Sequence, residues 1–263
     1  MHFFKLVVAL GGLALAAAAP KDIKYVESTL AERDASAFSL AGGVVKSLIG
    51  GLTRADAEHM AKIGMAFQGE NAKSKAAGIW LGGNGANTFK FKNSAGKRAT
   101  LILWNAPPGD FQSSFVNVRR AKITYSMKAG AEVTVSLNNG VSGAWAVLYD
   151  GKTKLTQFGQ VDETWGEFTT GNFATVDVSS EVNAKGTPMM IKVKKSGCVS
   201  DANRCSFHCK SGNTCGASGS YTLKNCAAGS QPGASIGFPD GINPEGGCQG
   251  WSNGGHLDVT LGK

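Results

Sequence analysis

The 263-residue chain has no cysteine before Cys198, only 7 prolines and 4 histidines, and 17% charged residues. Few prolines and no Gly-X-Y period exclude a collagen-like rod. Little charge beside 42% hydrophobic residues excludes a solvated disordered chain, which needs the reverse balance. A coiled coil is excluded too, because it needs roughly half Ala, Glu, Lys, Leu and Arg. The apolar run Leu6–Leu15 is too short for the ~20 residues of a spanning helix, and nothing later is longer. No Asn-x-Ser/Thr sequon occurs, so N-glycosylation is not expected. No Gly-x-Ser-x-Gly elbow precedes a helix, so a nucleophilic triad finds no support. Gly82-Gly-Asn-Gly85 lacks the Lys-Ser/Thr that a phosphate loop requires. The net charge of +8 lies towards the two ends, with no basic run interleaved with aromatics, so nucleic acid is not an expected partner.

What is present is 36 glycines and a clear sectioning of the chain. One lysine, the run Leu6–Leu15 and the small residues Ala16–Ala19 have the pattern of a signal peptide over residues 1–19, so the product is expected outside the cell. Residues 20–85 are expected as a helical, Gly-rich N-terminal extension or pro-segment. Phe38, Ala41, Val45, Leu48, Ile49 and Leu52 recur at helical spacing, interrupted by Gly42-Gly43 and Gly50-Gly51. A second helix is expected to start at Thr53, with Asp56 three residues on as a capping partner. The apolar stretch 37–52 also suits a membrane surface, which gives a membrane-active toxin as one alternative.

From Thr88 the period becomes two. Strands are expected at 88–92, 99–104, 114–118, 122–127, 132–137, 144–149, 165–169, 174–178, 189–194, 221–224 and 257–261. Turn signals separate them: Asn93-Ser-Ala-Gly96, Pro107-Pro-Gly109, Asn138-Asn-Gly140 and Asp150-Gly151. Many short strands imply a mainly-β sandwich spanning 86–263. The dibasic pair Lys97-Arg98 is expected at a hairpin tip; as a processing signal it would instead free residues 99–263. Cys198, Cys205, Cys209, Cys215, Cys226 and Cys248 make the part from 195 disulfide-rich, with three bridges out of 15 possible pairings. A zinc site on Cys205, His208 and Cys209 would need a spacing unlike the usual ones, so no metal and no cofactor are expected.

The run from Phe91 through Lys97-Arg98 to Trp104 resembles the first hairpin of fungal thaumatin-like proteins. So does the succession Gly140-Val-Ser-Gly-Ala-Trp145, Gly166-Glu-Phe-Thr169, Asp177-Val-Ser179, Pro188-Met189, Cys198. Residues 86–263 also resemble fungal secreted effectors. The resemblance implies a thaumatin-like β-sandwich with a disulfide-rich lobe and an acidic cleft that in some members binds or cleaves β-1,3-glucan. By position, Glu167 and Asp177 match two acids of that cleft. The third position is Val182 here, with Glu181 beside it.

Two carboxyl groups roughly 5–9.5 Å apart, one of them protonated, are the machinery of glycoside hydrolysis, so Glu167 and Asp177 are the catalytic candidates. Trp165 lies two residues before Glu167 and should share its face. Trp251, in a Gly-rich loop near Cys248, is the other ring that could stack a sugar. The expected ligand surface is therefore Trp165, Glu167, Asp177, Glu181 and Trp251. The expected function is that of a secreted, non-enzymatic, monomeric effector-like protein that binds a cell-wall polysaccharide or a host extracellular protein, without nucleic acid or membrane. A weak β-1,3-glucanase is the enzymatic alternative.

Overall fold

The computed structural model describes residues 39–40, 45, 47–110 and 112–263. The expected signal peptide at 1–19 lies outside them. Two sheets face each other. The first has the order β1 (Ile79–Leu81), β5 (Glu132–Leu137), β2 (Asn87–Asn93), β15 (Gly255–Leu261), β9 (Met189–Val193), β10 (Val199–Asp201). The second runs β12 (Tyr221–Lys224), β11 (Ser206–Cys209), β8 (Thr175–Ser179), β7 (Trp165–Thr169), β6 (Ser142–Tyr149), β3 (Ala99–Asn105), β4 (Ile123–Met127). Beside it, β14 (Glu245–Cys248) joins β8 through Cys248 and Val176, and β13 (Ala234–Gly237) pairs with β14. Pairs β2–β15 and β8–β11 are parallel; the other ladders are antiparallel. The expected mainly-β sandwich with a disulfide-rich C-terminal part is thus observed. Its bridges are Cys198–Cys248, Cys205–Cys226 and Cys209–Cys215.

The pleat explains the first sheet. In β2, Phe89 and Phe91 are fully buried while Lys90 and Lys92 are exposed. The exposed side is ion-paired across strands, with Lys90 2.6 Å from Glu132 and Lys194 2.6 Å from Asp258. Between the sheets Trp145 is the central side chain. It packs on Phe89, Phe91 and Phe168 and donates its indole N–H to Met189 Sδ at 3.1 Å. The indole lies directly against Gly166 of the neighbouring strand, where an added Cβ would fall 2.1 Å from the ring. Only glycine permits that approach.

Strands β3 and β6 are buried on both faces and so read as continuous apolar runs. Their outward residues Ile102, Trp104, Ala144, Ala146 and Leu148, with Trp165 of β7, meet Leu40, Val45, Leu52, Ala57, Met60 and Met65. Helix α1 (Arg54–Lys62) carries Ala57 and Met60 into this layer. Its N-cap is Thr53, as the sequence implies: the Thr53 hydroxyl oxygen accepts from Asp56 N–H at 3.3 Å. The Asp56 side chain is 3% exposed and is held by Arg98 Nε at 2.8 Å and by the Ser126 hydroxyl.

Several expectations are corrected. Strands β2 and β3 lie in opposite sheets, so the turn carrying Lys97-Arg98 is a crossover between sheets and not a hairpin tip. Ser114–Val118 is a run of turns, closed by local bonds such as Val118 N–H to Phe115 O. Among the described residues 39, 40, 45 and 47–52 there is no helix. Leu40 N–H instead bonds to Ala66 O, and Ser39 bridges to Phe67. The rest of that expected helix lies outside the described residues. Within the apolar stretch 37–52, Leu40, Val45 and Leu52 are buried against the sheet, while Leu48 is exposed. No described helix is long and apolar enough to cross a membrane.

Candidate functional site

Strands β7 and β8 form a hairpin in which Glu167 stands directly opposite Asp177. Opposite residues of an antiparallel pair share a face, with Cβ atoms about 4.5–5.5 Å apart. Phe168, Val176 and Val178 point into the core between the sheets, which puts Glu167 and Asp177 on the other face. The turn is fixed by Gly171 at φ 98°, packed so closely on Gly140 that a Cβ would lie 2.9 Å from its nitrogen. The Thr170 hydroxyl ties it further to Asn138 O at 2.8 Å.

Glu181 follows β8 and completes an acidic trio. Its carbonyl accepts from Cys215 N–H at 2.9 Å and lies 3.6 Å from Cys209 Sγ, so the Cys209–Cys215 bridge positions it. Asp177 is 4% exposed, and its Oδ1 makes no hydrogen bond. Glu167 and Glu181 are half-buried. Burial pushes the Glu167 carboxyl up to about 7, against the opposing pull of a hydrogen bond from Ser179. Burial also raises Asp177 well above the ordinary aspartate value, with the Glu167 and Glu181 charges adding to it. Glu181 rises for the same reasons, burial first and then Glu167. No lysine or arginine contributes to any of the three.

Tyr221 of β12 borders the trio. Burial raises its hydroxyl, and the charges of Glu181, Asp240, Glu245 and Glu167 raise it further. Asp240 and Glu245 were not legible as site residues, because they sit in a Gly- and Pro-rich stretch without periodicity.

The two tryptophans do not belong to this surface, which corrects their expected role. Trp165 is 2% exposed, donates to Val161 O at 2.8 Å and stands edge-on to Trp104 under the N-terminal cover. Trp251 is fully buried against Phe89 and donates to Cys248 O at 3.1 Å. The structure therefore brings Glu167, Asp177 and Glu181 together and leaves no indole face for a sugar ring. Among the described residues, one set of three metal-ligating atoms gathers within 4.8 Å: the sulfurs of Cys198, Cys205 and Cys248, all in disulfides. His208, the other zinc candidate, bonds to the Ser206 hydroxyl at 2.9 Å.

The trio has a consequence for stability. A carboxyl whose folded-state value lies above its unfolded value holds a proton that the unfolded chain has released. Between about pH 4.5 and 7 for Glu167, stability therefore falls as pH rises, by about 1.4 kcal/mol per pH unit for each extra proton held. Below that window both states are protonated and the slope vanishes. Urea unfolding at pH 4.5, 6 and 7.5 should show this decline, and Glu167→Gln should make it shallower, leaving the part due to Asp177 and Glu181. Equal slopes in both proteins would contradict the assignment.

The chain matches the profile of the Allergen Asp f 4-like domain over residues 84–231. None of the curated proteins compared with it matches. Among solved structures, the protein elicitor MoHrip2 from Magnaporthe oryzae superposes with a TM-score of 0.33 at 10% identity, over 67% of this chain and 99% of the elicitor. The thaumatin-like xylanase inhibitor TLXI superposes with a TM-score of 0.29 at 13% identity, over 66% of this chain and 97% of the inhibitor. Likenesses this loose carry no argument about function.

Proposed function

The chain belongs to the Allergen Asp f 4-like domain family, and from that premise we propose that it is a secreted fungal effector-like protein. In this reading it acts by binding a host extracellular protein at the carboxylate trio of Glu167, Asp177 and Glu181. The carrying observation is the 4%-exposed Asp177, which has an unpaired oxygen and two neighbouring acids but no cation. A buried acidic group in that state gains most from a partner that supplies donors or charge. Three disulfides and the signal-like residues 1–19 support an extracellular setting.

The geometry speaks less for the polysaccharide reading. A glucan would be gripped by ring stacking, and both indoles named for that work are inside the core. A glucanase using Glu167 and Asp177 needs one protonated and one ionised carboxyl, whereas burial raises both here.

The test compares the wild type with a Glu167→Gln, Asp177→Asn double variant. Both are incubated with host extracellular fluid, insoluble β-1,3-glucan and chitin. The expected result is a defined host protein retained by the wild type and lost with the variant, with neither polysaccharide retaining the folded chain. Retention on β-1,3-glucan that the variant abolishes, or sugar release from laminarin, would overturn the reading.

A further inference from the structure

We propose that the carboxylate trio is a socket for an arginine side chain presented by the partner protein and flanked there by an apolar residue. This deepens the reading above and rests on it. Three observations meet at the site. The trio has no internal cation, and Asp177 Oδ1 is buried without a partner. The charged and titratable groups at the site are Glu167 of β7, Asp177 of β8, Glu181 after β8 and Tyr221 of β12, with Asp240 before β14 and Glu245 opening it acting on Tyr221. All of them are acids or a phenol, in a chain whose net charge is +8. A basic group therefore meets attraction here, on a chain whose net charge is otherwise positive.

The shape of the socket separates guanidinium from a metal ion. The three carboxylates are not gathered within the 4.8 Å that encloses the cysteine sulfurs, so a compact divalent ion would reach too few of them. A guanidinium carries five donors in a planar fork and can span two carboxylates at once. The apolar flank comes from the rim. Phe238 and Ile242 are 54% and 59% exposed on a loop anchored by Gly219 N–H to Asn243 Oδ1 at 2.8 Å. That anchor lies two residues before Tyr221. Asp240, between them, is kept ionised by the backbone N–H groups of Asn243 and Ile242. Exposed apolar side chains around a charged socket are the pattern of an interface centre with an anchoring arginine.

Arginine entering the trio would favour the ionised carboxylates and expel the protons that burial retains. The experiment is calorimetric titration at pH 7, in two buffers of different ionisation enthalpy, with synthetic peptides carrying Leu-Arg-Leu or Leu-citrulline-Leu. The Arg peptide should bind at least tenfold more tightly than the citrulline peptide and should release protons. Glu167→Gln and Asp177→Asn should remove both effects. Phe238→Ala should weaken binding while leaving proton release in place. Equal binding of the two peptides overturns the socket, as does calcium chloride binding that the same variants abolish. If neither peptide binds while the wild type still retains a host protein that the double variant loses, the arginine inference fails and the functional reading stands. If that retention is absent as well, both fail.

Discussion

A chain beginning at Ala99, the product that cleavage after Lys97-Arg98 would release, is expected not to fold. The reason is topological. Strand β2 lies third of six in its sheet, with β5 on one side and β15 on the other. Without it, β15 loses its parallel partner, and β5, whose other neighbour is β1, loses both. The core between the sheets loses Ile79, Phe89 and Phe91, and the outer layer loses Leu40, Val45, Leu52, Ala57, Met60 and Met65. At about 1.5–3 kcal/mol for each large buried apolar side chain, this exceeds the ~5–15 kcal/mol that holds a typical domain together. Amide dispersion and a cooperative melting transition should both be absent from the shortened chain. A monomeric, cooperatively folding chain from Ala99 would show that the first 98 residues are dispensable. Cleavage of the already folded protein at the same bond should leave two pieces that co-elute under native conditions, because β2 stays paired through seven residues with β15 and six with β5.

How much of this was legible depends on where the specifying interactions lie. Phe89, Lys90, Phe91 and Lys92 announce a half-exposed strand by themselves, since each side chain's face follows from the pleat. Thr53 and Asp56 announce the start of α1 within four residues. The short strands β10, β11, β13 and β14 carry no such signal. They lie in glycine- and cysteine-rich sequence and are set by bridges and by distant partners such as Val176 opposite Cys248. The site divides in the same way. Alternation correctly puts Trp165 and Glu167 on one side of β7. Whether that side meets water is decided by Leu40, Val45, Leu52, Ala57, Met60, Met65 and Val161, which share one buried cluster with Trp165 and not with Glu167. One strand face thus carries a core tryptophan and a half-buried acid two residues apart, and no local pattern distinguishes them. Glu181 was visible only as the neighbour of Val182, whose side chain packs against the outer layer.

The three disulfides should differ in what their removal does, and stability should separate from binding. In the chain-entropy account the stabilisation grows with the closed loop. Cys198–Cys248, at a separation of 50, should contribute about 4 kcal/mol, Cys205–Cys226 at 21 about 3, and Cys209–Cys215 at 6 about 2. Double serine variants should therefore lose melting temperature in that order, and the first should lose about 10 °C in a chain of this size. Its penalty is compounded because Cys198 and Cys248 are fully buried in the core between the sheets, where two hydroxyls would lack partners. Binding should follow a different order. The Cys209–Cys215 bridge costs least to remove, yet it is the one that touches Glu181, through Cys215 N–H and Cys209 Sγ on the Glu181 carbonyl. Releasing it frees one acid of the trio while Glu167 and Asp177 stay fixed by the β7–β8 register. The Cys209→Ser, Cys215→Ser variant should thus stay folded, with the smallest loss in melting temperature and at least a tenfold loss of partner binding. If it melts early but binds normally, Glu181 is not part of the binding surface, and the trio reduces to the strand pair.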